Sequence, residues 1–148
     1  MPAHADTPTN EAELSASLRA RGQRVTSQRL VLNEVVAEQN RHVSAEEVMH
    51  AAGPRLPGLS LPTVYATLDL FEELGLVRRV AAGTGAVLYD PRTDDHAHLV
   101  CRTCGGVEDL EAPVDLAPAL AAAAARGGVA ERADVVVAGR CAACAATA

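Results

Sequence analysis

The sequence contains no lysine and no tryptophan, and its only aromatic residues are Tyr65, Phe71 and Tyr89. Without aromatic bulk, any core must be assembled from valine, leucine and alanine. Without lysine, every fixed positive charge is a guanidinium. No apolar run approaches the ~20 residues that a membrane helix needs, and no N-terminal leader pattern is visible. These absences set the expectation of a cytoplasmic protein with no membrane partner. Internal repeats are also missing; residues 117–125 are merely alanine-rich.

The net charge of −6 excludes a protein that simply coats nucleic acid, because such binding depends on many phosphate contacts. The charge is uneven, however. Residues 19–29 hold Arg19, Arg21, Arg24 and Arg29 with no acid among them, which is a local basic patch. The 148 residues suffice for one ordinary domain or two small ones. Two small lobes would each be short of core, and a metal or a subunit interface is the usual remedy.

Along the chain, residues 1–10 are polar and read as a disordered tail. Glu11–Ala20 is expected to be a helix that stops before Gly22. Thr26 suits the cap of a second helix reaching about Gln39, with Val31/Val35 and Leu32/Val36 as apolar pairs spaced by four. Ser44 and Glu47 form a capping-box pattern for a third helix, ended by Gly53 and Pro54. Ser60 and Pro62 suit the start of a fourth, in which Val64, Leu68, Phe71 and Leu74 make one buried stripe. Leu76–Val80 and Ala86–Asp90 then read as a β-hairpin around Gly83-Thr84-Gly85. Several short helices followed by a hairpin is winged-helix order. We therefore expect a DNA-binding domain over residues 11–90 and a hinge over 91–95. A second, small α/β lobe follows over 96–148, giving an α+β chain overall. Its expected elements are strands at His98–Cys101, Val107–Glu111 and Ala133–Ala138, and a helix at Asp115–Arg126.

Cys101-Arg102-Thr103-Cys104 and Cys141-Ala142-Ala143-Cys144 are two Cys-x-x-Cys knuckles separated by 36 residues. In a cytosolic setting thiols serve as metal ligands more often than as disulfides. Each knuckle brings two thiolates into one tight turn, and the pair supplies a closed tetrahedral site of the kind structural zinc takes. Two disulfides, a rubredoxin-like iron and redox pairs are the other readings. A redox Cys-x-x-Cys usually opens a helix in a larger βαβ fold, and neither knuckle is expected to do so. A site closed by four thiolates leaves no open position, so it holds structure and performs no chemistry.

Asp94-Asp95-His96-Ala97-His98 precedes the first knuckle. In an extended segment His96 and His98 share a face, whereas Cys101 has the opposite parity. The histidines are then free for another ion. Taken singly, His42 reads as a surface histidine, and Asp90 and Asp109 as solvated acids.

Three runs change that. Arg21-Gly22-Gln23-Arg24-Val25-Thr26, Leu61-Pro62-Thr63-Val64-Tyr65-Ala66-Thr67-Leu68 and Glu73-Leu74-Gly75-Leu76-Val77 resemble the ferric uptake regulator (Fur) family. Asp95-His96-Ala97-His98-Leu99-Val100-Cys101-Arg102-Thr103-Cys104-Gly105 resembles the family's metal-binding signature, and coverage runs from about residue 13 to residue 144. The resemblance implies a homodimeric repressor that binds double-stranded operator DNA when a regulatory divalent ion is loaded. It implies that the fourth helix is the recognition helix, with Tyr65 against bases and Thr63 near a phosphate or base edge. Arg21 and Arg24 would touch the backbone or minor groove. It also places His42, Asp90, His96, His98 and Asp109 on the regulatory ligand positions, beside zinc on the four cysteines.

An aspartate at Asp109 is the pattern of the family's peroxide-sensing branch, where iron-responsive members usually have glutamate. Fe²⁺ or Mn²⁺ is then the expected regulatory ion, and peroxide would act through bound iron to oxidise His42 or His96. An iron- or manganese-responsive regulator without peroxide chemistry is the alternative within the family. An ion held by ligands from both lobes would fix the angle between them, and with it the spacing of two recognition helices. Two departures stand out. Ala66 occupies a position where many members carry an arginine, so the operator sequence or affinity would differ. Ala133 stands where a further metal site would need a histidine, so that site is expected to be absent.

Two other classes compete. A zinc deaminase places His-x-Glu before Pro-Cys-x-x-Cys; here the sequences are His-x-His and Val-Cys-x-x-Cys. No enzyme, and no small-molecule substrate, is therefore expected. A zinc-ribbon module that binds only protein would not need the arginine-rich start or the exposed-tyrosine helix.

Overall fold

The computed structural model describes residues 10–147. The expected tail at residues 1–10 thus lies, save for Asn10, outside the described residues. The chain divides into two compact units. The first comprises residues up to Ala81 together with Ala86–Asp94, and the second comprises Ala82–Gly85 with the residues from Asp95 onward.

In the first unit, α1 (Glu11–Ala20), α2 (Ser27–Gln39), α3 (Ala45–Ala52) and α4 (Leu61–Glu73) are followed by β1 (Arg78–Ala81) and β2 (Val87–Asp90). Each helix begins where a short polar side chain satisfies an orphan backbone N–H. Asn10 accepts from the N–H of Glu13, Thr26 from Arg29, Ser44 from Glu47 and Ser60 from Thr63. The capping box at α3 is complete, since Glu47 also accepts from the Ser44 N–H at 2.8 Å. α4 ends in a turn that bonds the Leu76 N–H to the Phe71 carbonyl at 2.8 Å. Gly75, at φ +75°, makes that turn possible, because a side chain there would be strained.

Val64, Leu68 and Phe71 are fully buried against Leu14, Leu18 and Leu32. Leu74, expected to complete the stripe, is the C-cap of α4 and only packs partly against the core. The hairpin strands begin later than expected, at Arg78 and Val87. The reason is that Leu76 and Val77 are both buried in the helical core, so neither alternates as a hairpin strand would. β1 and β2 pair antiparallel, Arg79 opposite Tyr89. A further single bridge joins Val43 to Tyr89.

In the second unit, β3 (Ala97–Cys101), β4 (Val107–Leu110), α5 (Ala117–Ala125), β5 (Val135–Gly139) and α6 (Ala142–Ala146) follow in order. The sheet order is β4-β3-β5, with β3 antiparallel to β4 and parallel to β5. α5 starts two residues later than expected because Asp115 spends its side chain on a turn, accepting from the Ala117 N–H at 3.0 Å. Apolar burial is sparse here. α5 buries no residue, and Val136 and Val137 of β5 are exposed. Among the described residues, no helix is long and apolar enough to cross a membrane.

Candidate metal centres and a candidate nucleic-acid interface

Cys101 ends β3, and the chain then turns tightly so that the Gly105 N–H meets the Cys101 carbonyl at 3.0 Å and the Cys101 N–H meets the Gly106 carbonyl at 2.9 Å. The Arg102 N–H donates to the Gly139 carbonyl at 2.8 Å, fixing the end of β5 beside this turn. The second knuckle follows immediately. All four sulphurs lie within 4.8 Å of one another, and Cys104 Sγ is 3.9 Å from Cys141 Sγ. Tetrahedral zinc with ~2.3 Å bonds to sulphur spaces its ligands by about 3.8 Å, so the set fits that ion. No disulfide links these cysteines.

The second knuckle corrects one expectation: Cys141 is the N-cap of α6, so this Cys-x-x-Cys does open a helix. Its alanines are strong helix formers, yet the helix is only five residues long. The convergence of four sulphurs, and not of two, separates it from a redox pair. The N–H of Cys104 points at Cys101 Sγ from 3.5 Å. That donor first, and the Cys141 N–H next, lower the Cys101 thiol to about 6, favouring the thiolate that metals bind. Cys144 is pushed up to about 12, first by its hydrogen bond with Cys141 and then by burial.

The turn Ala82–Gly85 packs on the first knuckle within the second unit. The Gly83 N–H donates to the Gly105 carbonyl at 3.2 Å. A Cβ on Gly83 would sit 2.2 Å from the Cys101 carbonyl oxygen, so only glycine allows this approach. The sequence showed Gly83 merely as a turn residue; its contact with a residue 22 positions away carried no local signal.

The imidazoles and carboxylates form two sets, one in each unit. In the second unit the β3–β4 register places His98 opposite Asp109. His98 Nε2 is 3.4 Å and His96 Nε2 3.2 Å from the same oxygen, Asp109 Oδ1. The two rings are 4.4 Å apart at their centroids, and both are buried. In the first unit the Val43–Tyr89 bridge carries His42 alongside Asp90, with His42 Nε2 3.2 Å from Asp90 Oδ2. Asp90 is buried, and its other oxygen accepts from the Arg92 N–H at 2.8 Å. Buried charge demands a partner, and both sets offer the nitrogen and oxygen donors that first-row divalent ions take.

On α4, Tyr65 is 37% exposed, off the buried face, and its hydroxyl donates to Glu46 Oε1 at 3.2 Å. An open groove of about 700 Å³ runs between this helix and the arginine segment, lined by Arg24, Arg29, Thr63 and Ala66 among others. Arg24 and Thr63 are thus brought together. Arg21 is not among the lining residues; its guanidinium donates to the Glu73 carbonyl at 3.3 Å. Glu46 was missed from the sequence, because a bond between residues 19 apart on two helices leaves no spacing signature.

The family model described as the ferric uptake regulator family matches residues 20–130. The peroxide-responsive repressor PerR of Staphylococcus epidermidis is 32% identical over 114 residues, 76% of each chain. The fold matches the ferric uptake regulator Fur of Helicobacter pylori, a protein with three functional metal binding sites, with a TM-score of 0.76 at 18% identity, over 98% of this chain and 97% of that one. A zinc uptake regulator complexed with zinc and DNA matches with a TM-score of 0.65 at 28% identity, over 92% of this chain and 93% of that one.

Proposed function

The chain belongs to the ferric uptake regulator family, and from that premise we propose that it is a repressor that binds operator DNA as a homodimer when a regulatory ion is loaded. As a member of that family it is a metal-responsive transcription regulator. The observation that carries the fuller reading is the convergence of His96 and His98 on one oxygen of Asp109, in a unit that also closes four sulphurs on one another.

Cys101, Cys104, Cys141 and Cys144 would hold structural zinc. His42, Asp90, His96, His98 and Asp109 would hold the regulatory ion, Fe²⁺ or Mn²⁺. When bound, such an ion would supply ligation shared by these side chains and, as Fe²⁺, one-electron chemistry toward peroxide. The chain's own part is to keep imidazole and carboxylate paired within each unit, His42 with Asp90 and the two buried histidines with Asp109; residues 91–95 would be the hinge. Shared ligation would fix the two α4 helices of the dimer at one spacing. Metal and DNA binding are then coupled reciprocally, by roughly 1–3 kcal/mol or about 5–150-fold. Thr63 and Arg24 would face the duplex along the groove, with Tyr65 exposed on the same helix outside it and Arg21 in the preceding arginine segment.

Peroxide as the signal is supported by Asp109, an aspartate, and by the likeness to a peroxide-responsive repressor. Two measurements test the reading. Fluorescence anisotropy on DNA from the gene's own upstream region should show binding tightened by Mn²⁺ within the stated range; equal binding with and without Mn²⁺ would sink the sensor. Mass spectrometry of Fe²⁺-loaded protein after peroxide should show added oxygen on His42 or His96. Unmodified histidines would leave an iron or manganese regulator without peroxide chemistry.

A further inference from the structure

Tyr65 stands on the exposed side of α4, yet its hydroxyl proton is already committed to Glu46 Oε1 at 3.2 Å. Glu46 is the second residue of α3, inside the first turn, where the helix N-terminus favours a carboxylate's charge. The capping box of Ser44 and Glu47 holds that turn in place. Burial and then the bond to Glu46 raise the Tyr65 phenol above its usual range, so it remains protonated at neutral pH. A phenol has one proton to donate and lone pairs to accept with. With the proton turned to Glu46, the outward side of the oxygen is an acceptor.

We propose that Glu46 is a positioning residue that fixes the polarity of Tyr65, so that Tyr65 meets a base only as an acceptor. Resting on the reading of α4 as the DNA-reading helix, this means that Tyr65 selects a base presenting an exocyclic amino group in the major groove. Those groups are adenine N6 and cytosine N4; guanine and thymine present acceptor oxygens there. An unrestrained phenol would donate to those oxygens as readily and would discriminate poorly.

The test uses Mn²⁺-loaded full-length protein and the duplex that it selects from a randomised library. Adenines and cytosines of that duplex are replaced, one at a time, by analogues lacking the amino group, and affinities are read by anisotropy. In the wild-type protein one replacement should weaken binding about five- to tenfold, the worth of a hydrogen bond at a base edge. Tyr65→Phe should be indifferent to that replacement. Glu46→Gln and Glu46→Ala both remove a negative charge near phosphates, so both should bind all sites more tightly by a similar factor. They differ in the acceptor: Glu46→Gln should keep the discrimination and Glu46→Ala should lose it. A wild-type pattern in Glu46→Ala, or in Tyr65→Phe, overturns the inference. If Tyr65→Ala also selects the same sequences with the same affinity, the reading of α4 itself fails, which is a separate outcome.

Discussion

One oxygen of Asp109 lies 3.2 and 3.4 Å from two imidazoles, and this small cluster shows what a sequence can and cannot disclose about single residues. Alternation along an extended segment put His96 and His98 on one side, and the structure has both beside the same carboxylate. The carboxylate itself was not readable by spacing, because the register of His98 with Asp109 is a pairing between strands. His42 and Asp90 were equally mute, their proximity resting on one isolated bridge. Replacing Asp109 by asparagine keeps the shape and removes the charge. The expected outcome is regulatory-ion affinity lowered about tenfold or more, with one zinc per chain retained, as measured by Mn²⁺ titration and elemental analysis. Simultaneous loss of zinc would show that the two donor sets are not independent.

Elements were legible wherever their causes are local. Thr26, Ser44 and Ser60 marked helix starts because a cap acts within three residues. β1 was placed too early because an apolar pair, Leu76 and Val77, looks the same on a strand as in a helical core. α6 was missed because five alanine-rich residues after a cysteine resemble a loop. The α3 capping box is open to a direct check. Ser44→Ala should cost about 1 kcal/mol in urea denaturation. The Ser44 backbone N–H first, and the Arg41 guanidinium next, hold the Glu47 carboxyl below the usual carboxylate range. Because the folded pKa is the lower one, its contribution is complete above about pH 4.5 and fades as pH falls through the folded value. The stability gap between wild type and Glu47→Gln, which lacks that charge at every pH, should therefore narrow in acid. A gap that widened below pH 4.5 would contradict the assignment.

At the scale of the whole molecule, the two units are unequally furnished. The first has a contiguous core running from Leu14 to Tyr89. The second buries little besides Ala97, Val100, two histidines and two cysteines, so its order must come from outside its own apolar surface. Structural zinc contributes folding energy outright in such small lobes. Removing it with a strong chelator should release amide protection throughout β3, β4 and β5 in hydrogen exchange, while α2 and α4 keep theirs. Uniform protection after zinc loss would count against that division. The glycine clasp of Gly83 on the Cys101 turn has a practical side as well. Hairpin tips are customary insertion points for fluorophores and affinity tags, but here any graft between Ala82 and Gly85 would pry at the cysteine knuckle. A reporter attached there would record damage it had caused.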